Sequence, residues 1–190
     1  MSEPAQQPED QPRRHALRER VAAEIVTAAA GVLAATGGQA SMNDVAIAAG
    51  VARGTLYRYF PTRNALVERL REVAIEDAAG RLTASRVEQI EPLEGVERTI
   101  RAFVDAGDVF VVGVRERGAG GGFDASIMRP LRTLIERGQS AGVLRSDMEA
   151  AWLAESLLGL VLAGTSAPYL GKEDTIAAIR RLFLEGARSA

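Results

Sequence analysis

A chain of 190 residues, 47% hydrophobic and 25% charged, is large enough to bury the core of one or two compact domains and has the composition of an ordinary globular protein. The absence of cysteine excludes disulfides and thiolate metal sites and fits a reducing cytoplasm, which is the expected location. A formal net charge of −2 excludes a uniformly basic surface, so any affinity for nucleic acid has to come from a local concentration of charge.

Residues 1–16 are expected to form a disordered arm, because Met1 to Arg14 holds three prolines, three glutamines and no apolar periodicity. Arg13, Arg14, Arg18 and Arg20 close this arm. Such a basic arm either tracks phosphates and enters a minor groove or is a solvated tail, and the sequence leaves both open. His15, the one histidine, has no carboxylate or cysteine neighbours at ligand spacing, so no metal site is expected. Nothing here reads as a signal peptide, and the longest apolar run, residues 156–163, is too short to span a bilayer, so no membrane partner is expected.

A first helix is predicted over 17–36, with Val21, Ile25, Ala28, Ala29, Val32 and Leu33 at helical spacing and Gly37-Gly38 ending it. Ser41 to Phe60 then reads as two short helices broken by a glycine. Ser41 or Asn43 can cap the first, and Asp44, three residues after Ser41, suits a capping box. Gly50 supplies the positive φ needed for a sharp exit, and Val51 is an apolar plug between the pair. The second helix, about Arg53 to Tyr59, turns Leu56 and Phe60 inward and leaves Arg53, Thr55, Tyr57 and Arg58 outward. Guanidinium, hydroxyl and phenol groups on one exposed face have the chemistry for phosphates and base edges in a major groove. The charge is local as well: residues 53–72 carry Arg53, Arg58, Arg63, Arg69 and Arg71 against Glu68 and Glu72. Alone, such a run reads as a solvated helix face; beside this pair of helices it reads as an electrostatic footprint.

Pro61-Thr62 ends the second short helix and caps a fourth one reaching about Ala84 through Leu66, Leu70, Val73 and Ile75. From Pro92 onward a second all-helical domain is expected, with helices 5 (93–106), 6 (108–115), 7 (124–140), 8 (149–165) and 9 (173–187). Pro130 predicts a late start or a kink in helix 7. The glycine-rich stretch 118–122 reads as a loop, not a phosphate cradle, because no Gly-Lys-Ser/Thr follows. Helix 8 is apolar over most of its circumference and so demands burial on every side.

The stretch DVAIAAGVARGTLYRYFPTRNALVERL resembles the N-terminal DNA-binding domain of the TetR family of bacterial transcriptional regulators, over about Ile25 to Leu70. The resemblance implies an all-α fold, with an N-terminal three-helix helix-turn-helix domain (17–62) and a C-terminal ligand-binding and dimerisation domain (63–190). By position it implies that Arg53 and Gly54 approach base edges, that Thr55, Tyr57, Arg58 and Tyr59 contact phosphates or bases, and that Arg63 holds a phosphate; Ser41 and Asn43 join the DNA-contacting set. Two positions depart from the family: Ala52 stands where a capping serine is common, and Met42 where serine or threonine is frequent. It further implies a homodimer through helices 8 and 9, a double-stranded DNA operator, and a small-molecule effector. Candidate effector contacts are Phe103, Phe110, Phe123, Met128, Leu131, Leu134, Trp152 and Leu157, residues that at helical spacing also read as ordinary core.

The expected function is therefore a regulator, most simply a repressor, that binds a palindromic operator as a dimer and is released by the effector. The alternative is a dimeric ligand-sensing protein without operator binding. An enzyme is not expected, since no Ser-His-Asp, metal-ligand or Walker spacing occurs, and no cofactor is expected.

Overall fold

The computed structural model describes residues 10–36, 38–115, 122–167 and 169–187, with side chains from Arg13 onward. Residues 118–121 of the glycine-rich stretch and most of the expected arm lie outside the described residues. Among those described there are eight α-helices, one π-helical turn and no strand. The helices are α1 (Asp10–Ala35), α2 (Met42–Ala48), α3 (Arg53–Tyr59), α4 (Arg63–Ala84), α5 (Pro92–Arg115), α6 (Arg129–Ser140), α7 (Ala150–Thr165) and α8 (Lys172–Ala187), with the π-turn Asp124–Met128 ahead of α6. The predicted helices 8 and 9 are α7 and α8.

The chain divides into two compact units, residues 1–70 and 71–190. The expected division at 62/63 thus moves to 70/71, because Leu66 and Leu70, one turn apart at the start of α4, are both buried. α4 is continuous across this boundary.

In the first unit α1 begins at Asp10, seven residues before the expected Leu17. This corrects the expectation of an irregular arm over 10–16. Pro12 falls in the first helical turn, where its missing N–H has no helical acceptor to serve, and the residues that follow are mostly good helix formers. The boundary is invisible to periodicity because the added turns bury nothing: Arg13 to Arg20 are all exposed. The core of the unit comes from Ile25, Val26, Ala29, Ala30 and Leu33 of α1, Met42, Val45 and Ala46 of α2, and Leu56.

The second unit has one continuous core drawn from α4 to α8, including Leu82, Ile100, Phe103, Phe110, Leu131, Ile135, Leu157 and Phe183. The predicted helices 5 and 6 are the two limbs of α5, which breaks at Gly107 with φ 62 and ψ −147, a conformation closed to residues with a Cβ. The break brings Phe103 and Phe110 into a stacked pair with ring centroids 4.8 Å apart. Pro130 is the second residue of α6, and the wider π-turn immediately before it accommodates the change of register that its ring requires. Arg137 of α6 donates to the carbonyls of Val87 (2.8 Å) and Ile90 (2.6 Å), so two part-buried acceptors of the irregular connection between α4 and α5 are satisfied.

Candidate nucleic-acid interface

α2 starts at a complete capping box. The Ser41 hydroxyl accepts from the Asp44 N–H at 3.2 Å, and the Asp44 carboxylate accepts from the Ser41 N–H at 2.9 Å and from its hydroxyl at 2.7 Å. The hydrogen bonds from Ser41 hold the Asp44 carboxyl below its usual range. Ser41 is therefore the cap, and Asn43 lies exposed within the first turn.

The exit from α2 is as tightly defined. Gly50 sits at φ 65, its N–H donates to Ile47 O (3.1 Å), and the Val51 N–H reaches back to Ala46 O (3.0 Å). These are the paired bonds of a Schellman motif, which needs a left-handed residue at this point and so turns the chain sharply into α3.

Ala52, the N-cap residue just before α3, is extended (φ −65, ψ 145) and supplies no side-chain cap. Of residues 53–60 only Leu56 and Phe60 are buried, at 0% and 6% exposure, so these two fix the helix against its unit. Arg53, Gly54 and Arg58 are exposed; Thr55, Tyr57 and Tyr59 are half-buried. The guanidinium of Arg53 lies over the Tyr57 ring at 5.5 Å, and that of Arg58 over the Tyr59 ring at 5.8 Å. The rings thus hold two charges in place on the outward side of the helix.

Beyond α3 the Thr62 hydroxyl accepts from the Ala65 N–H at 3.1 Å and caps α4. Arg63 donates from Nη2 to the Gly38 carbonyl at 2.8 Å and is half-buried. That bond ties the start of α4 to the turn after α1. Periodicity could not anticipate that link. Two further features have no signal in the sequence pattern: Arg18 of α1 lies over the Tyr59 ring at 5.9 Å, and Ile47 of α2 is 72% exposed.

The candidate effector contacts separate into three environments. Phe103, Phe110, Leu131, Leu134 and Leu157 are packed in the core of the second unit, where neighbouring side chains already fill the space around them. Trp152, expected to line a pocket, is 57% exposed on the outside of α7, because the inner face of that helix is taken by Leu153, Leu157 and Val161. Only Phe123 and Met128 border an open cleft, of about 460 Å³, together with Asp124, Glu155, Leu158, Gly159 and Leu162.

Residues 25–70 match the family described as bacterial regulatory proteins, tetR family. Over 160 residues, 78% of this chain and 85% of the relative, the sequence is 29% identical to the HTH-type transcriptional regulator NfxB of Pseudomonas aeruginosa. Residues 25–70 thus carry the sequence signature of that family. Solved structures of similar fold include the TetR-like transcriptional regulator LfrR of Mycobacterium smegmatis in complex with proflavine (TM-score 0.73, 23% identity, 92% of this chain and 99% of that one). They also include the ketosteroid transcriptional regulator KstR2 of Mycobacterium tuberculosis (TM-score 0.70, 16% identity, 89% and 95%). These structures show a shared fold. Among the described residues of this chain no helix is long and apolar enough to cross a membrane.

The uncapped start of α3 gives a direct test of the local energetics. Ala52→Ser is expected to add a side-chain acceptor at a position already in capping geometry and to stabilise the first unit by about 1 kcal/mol. Chemical denaturation should show a higher midpoint at unchanged slope; an unmoved or lower midpoint would mean that the hydroxyl does not reach the α3 amides.

Proposed function

We propose that this chain is a DNA-binding transcriptional regulator of the TetR family, a cytoplasmic repressor that holds a palindromic operator as a homodimer and releases it when a small molecule occupies the second unit. The observation that carries the reading is the split of α3: Leu56 and Phe60 bury one side, and Arg53, Gly54 and Arg58 stand out on the other. In this reading Arg53 and Gly54 approach base edges in the major groove. Thr55, Tyr57, Arg58, Tyr59 and Arg63 take phosphates or bases, and Ser41 and Asn43 meet the backbone at the start of α2. Arg53→Ala should lower affinity for the operator by about 1–3 kcal/mol and erase the preference over scrambled DNA, with the thermal midpoint unchanged. Fluorescence anisotropy on both duplexes decides it, and a retained preference would remove Arg53 from the base-reading set.

Dimerisation is assigned to α7 and α8. Trp152 (57% exposed) and Leu182 (64% exposed) are large apolar side chains without cover on these two helices, beside the partly exposed Leu160 and Leu162. Helix pairs of this kind find their mates across a twofold axis, which matches the symmetry of a palindrome. The double variant Trp152→Glu/Leu182→Glu should sediment as a folded monomer and bind operator poorly, since each monomer reaches only one half-site. An unchanged dimer in sedimentation would move the interface elsewhere.

For the effector, the cleft beside α7 has apolar walls in Phe123, Met128, Leu158 and Leu162 and carboxylates at Asp124 and Glu155. Asp124 is paired with Arg132 at 2.8 Å, whereas Glu155 has no ion-pair partner among the described residues. A small apolar compound with a positive charge suits this lining. Proflavine, present in the LfrR structure, is the first probe. Coupling between the two sites is reciprocal, so operator DNA should weaken proflavine binding by the same factor that proflavine weakens operator binding, commonly ~5- to 150-fold. Equal proflavine affinities with and without operator would exclude it as an inducer.

A further inference from the structure

The connection that leaves α4 carries Arg86 at φ 49, the one residue other than glycine at positive φ among the described residues. A residue with a Cβ is disfavoured there, and glycine would make the same turn without strain. Such strain persists only where the surroundings over-determine it, and it gathers at sites that use it. This turn is fastened on both sides of Arg86. Arg98 donates to the Ser85 carbonyl at 3.1 Å, Arg137 donates to the carbonyls of Val87 and Ile90, and the Gln89 N–H donates to the Arg86 carbonyl at 2.9 Å. Two arginines thus hold the turn, and a third is displayed by it.

Arg86 borders a groove of about 370 Å³ that lies within the second unit. The floor of the groove is apolar, with Leu82 and Val87 each 4% exposed and Pro130 of α6 beside them. Its rim carries both signs of charge, Arg86 and Glu88, which are exposed and form no ion pair with each other or with any other described residue. Ser126 of the π-turn adds a hydroxyl. A lone carboxylate entering this groove would be repelled by Glu88, and a lone amine by Arg86. A molecule that carries both charges on neighbouring atoms, with an apolar tail, satisfies the rim and the floor together.

We propose that this groove is a binding site for an apolar α-amino acid, whose carboxylate meets Arg86, whose ammonium meets Glu88 and whose side chain lies on Leu82, Val87 and Pro130. The site goes beyond the repressor reading and shares no lining residue with the cleft beside α7. Its preorganisation comes from the fastened turn, which sets the backbone of both charged residues before the ligand arrives and so lowers the entropy lost on binding.

The test titrates the full chain with leucine, isocaproate and isoamylamine, three probes that share one branched tail, and follows the amide resonances. Leucine should bind saturably, with the largest shifts at Thr83, Arg86 and Ser126. Isocaproate lacks the ammonium and isoamylamine the carboxylate, so each should bind more weakly by roughly fivefold or more. Glu88→Gln should erase the preference for leucine over isocaproate, and Arg86→Lys, which keeps the charge, should retain most of the leucine affinity. Arg86→Gly should keep the fold, because glycine adopts φ 49 freely, and should lose leucine affinity by a similar factor. The absence of saturable leucine binding, equal affinities for the three probes, shifts centred on Glu155 and Leu158, or an Arg86→Gly variant that binds leucine like the wild type would each overturn the site.

Discussion

The burial of Leu56 and Phe60 is the constraint on which the interface depends. A seven-residue helix has too few internal hydrogen bonds to hold itself in water, so α3 exists because its inward side chains are inserted into the first unit. That insertion also sets its rotation. With Leu56 and Phe60 committed inward, Arg53, Gly54 and Arg58 have no choice but to face out, and the outward chemistry of the helix is a consequence of its inward packing. The Schellman exit at Gly50 and the Thr62 cap fix the chain at either end, so the short helix is held by its neighbours at both termini.

Charge follows the same plan. The chain as a whole is slightly acidic, yet in the first unit the guanidinium groups of Arg18, Arg53 and Arg58 lie over the rings of Tyr57 and Tyr59, which restrain them. A restrained guanidinium gives up less freedom on meeting a phosphate than a solvated one does, which favours binding without requiring more charge. The second unit uses its arginines differently: Arg137 satisfies two backbone carbonyls, and Arg101 pairs with Glu173 at 2.9 Å between α5 and α8. The same residue type stands outward over the rings of α3 and serves elsewhere, as at Arg63 and Arg137, as an internal fastener, and only the surroundings distinguish the two.

Much of this was legible in the sequence wherever a local signal had one physical meaning. The spacing of Ser41 and Asp44 suited a capping box, the expected separation of helices 93–106 and 108–115 fell at the Gly107 break, and Pro130 marked a disturbed helix start, which became a π-turn. Signals with several meanings were not resolved. The apolarity of α7 fits core, pocket and subunit interface equally, so Leu157 and Trp152 looked alike until the structure buried one and exposed the other. Arg63 illustrates a third limit, because its bond to Gly38 joins residues twenty-five apart and leaves no trace in local pattern. The beginning of α1 was hidden for the opposite reason, since turns that bury nothing have no periodicity to detect.

The central claim, that a symmetric pair of α3 helices reads DNA, is tested most directly by affinity selection of random duplexes with the purified full-length protein. The account predicts enrichment of one motif made of two inverted half-sites whose centres lie about one helical turn, or a multiple of it, apart. Recovery of an asymmetric motif without inverted repeats, or of no enriched sequence at all, would contradict it.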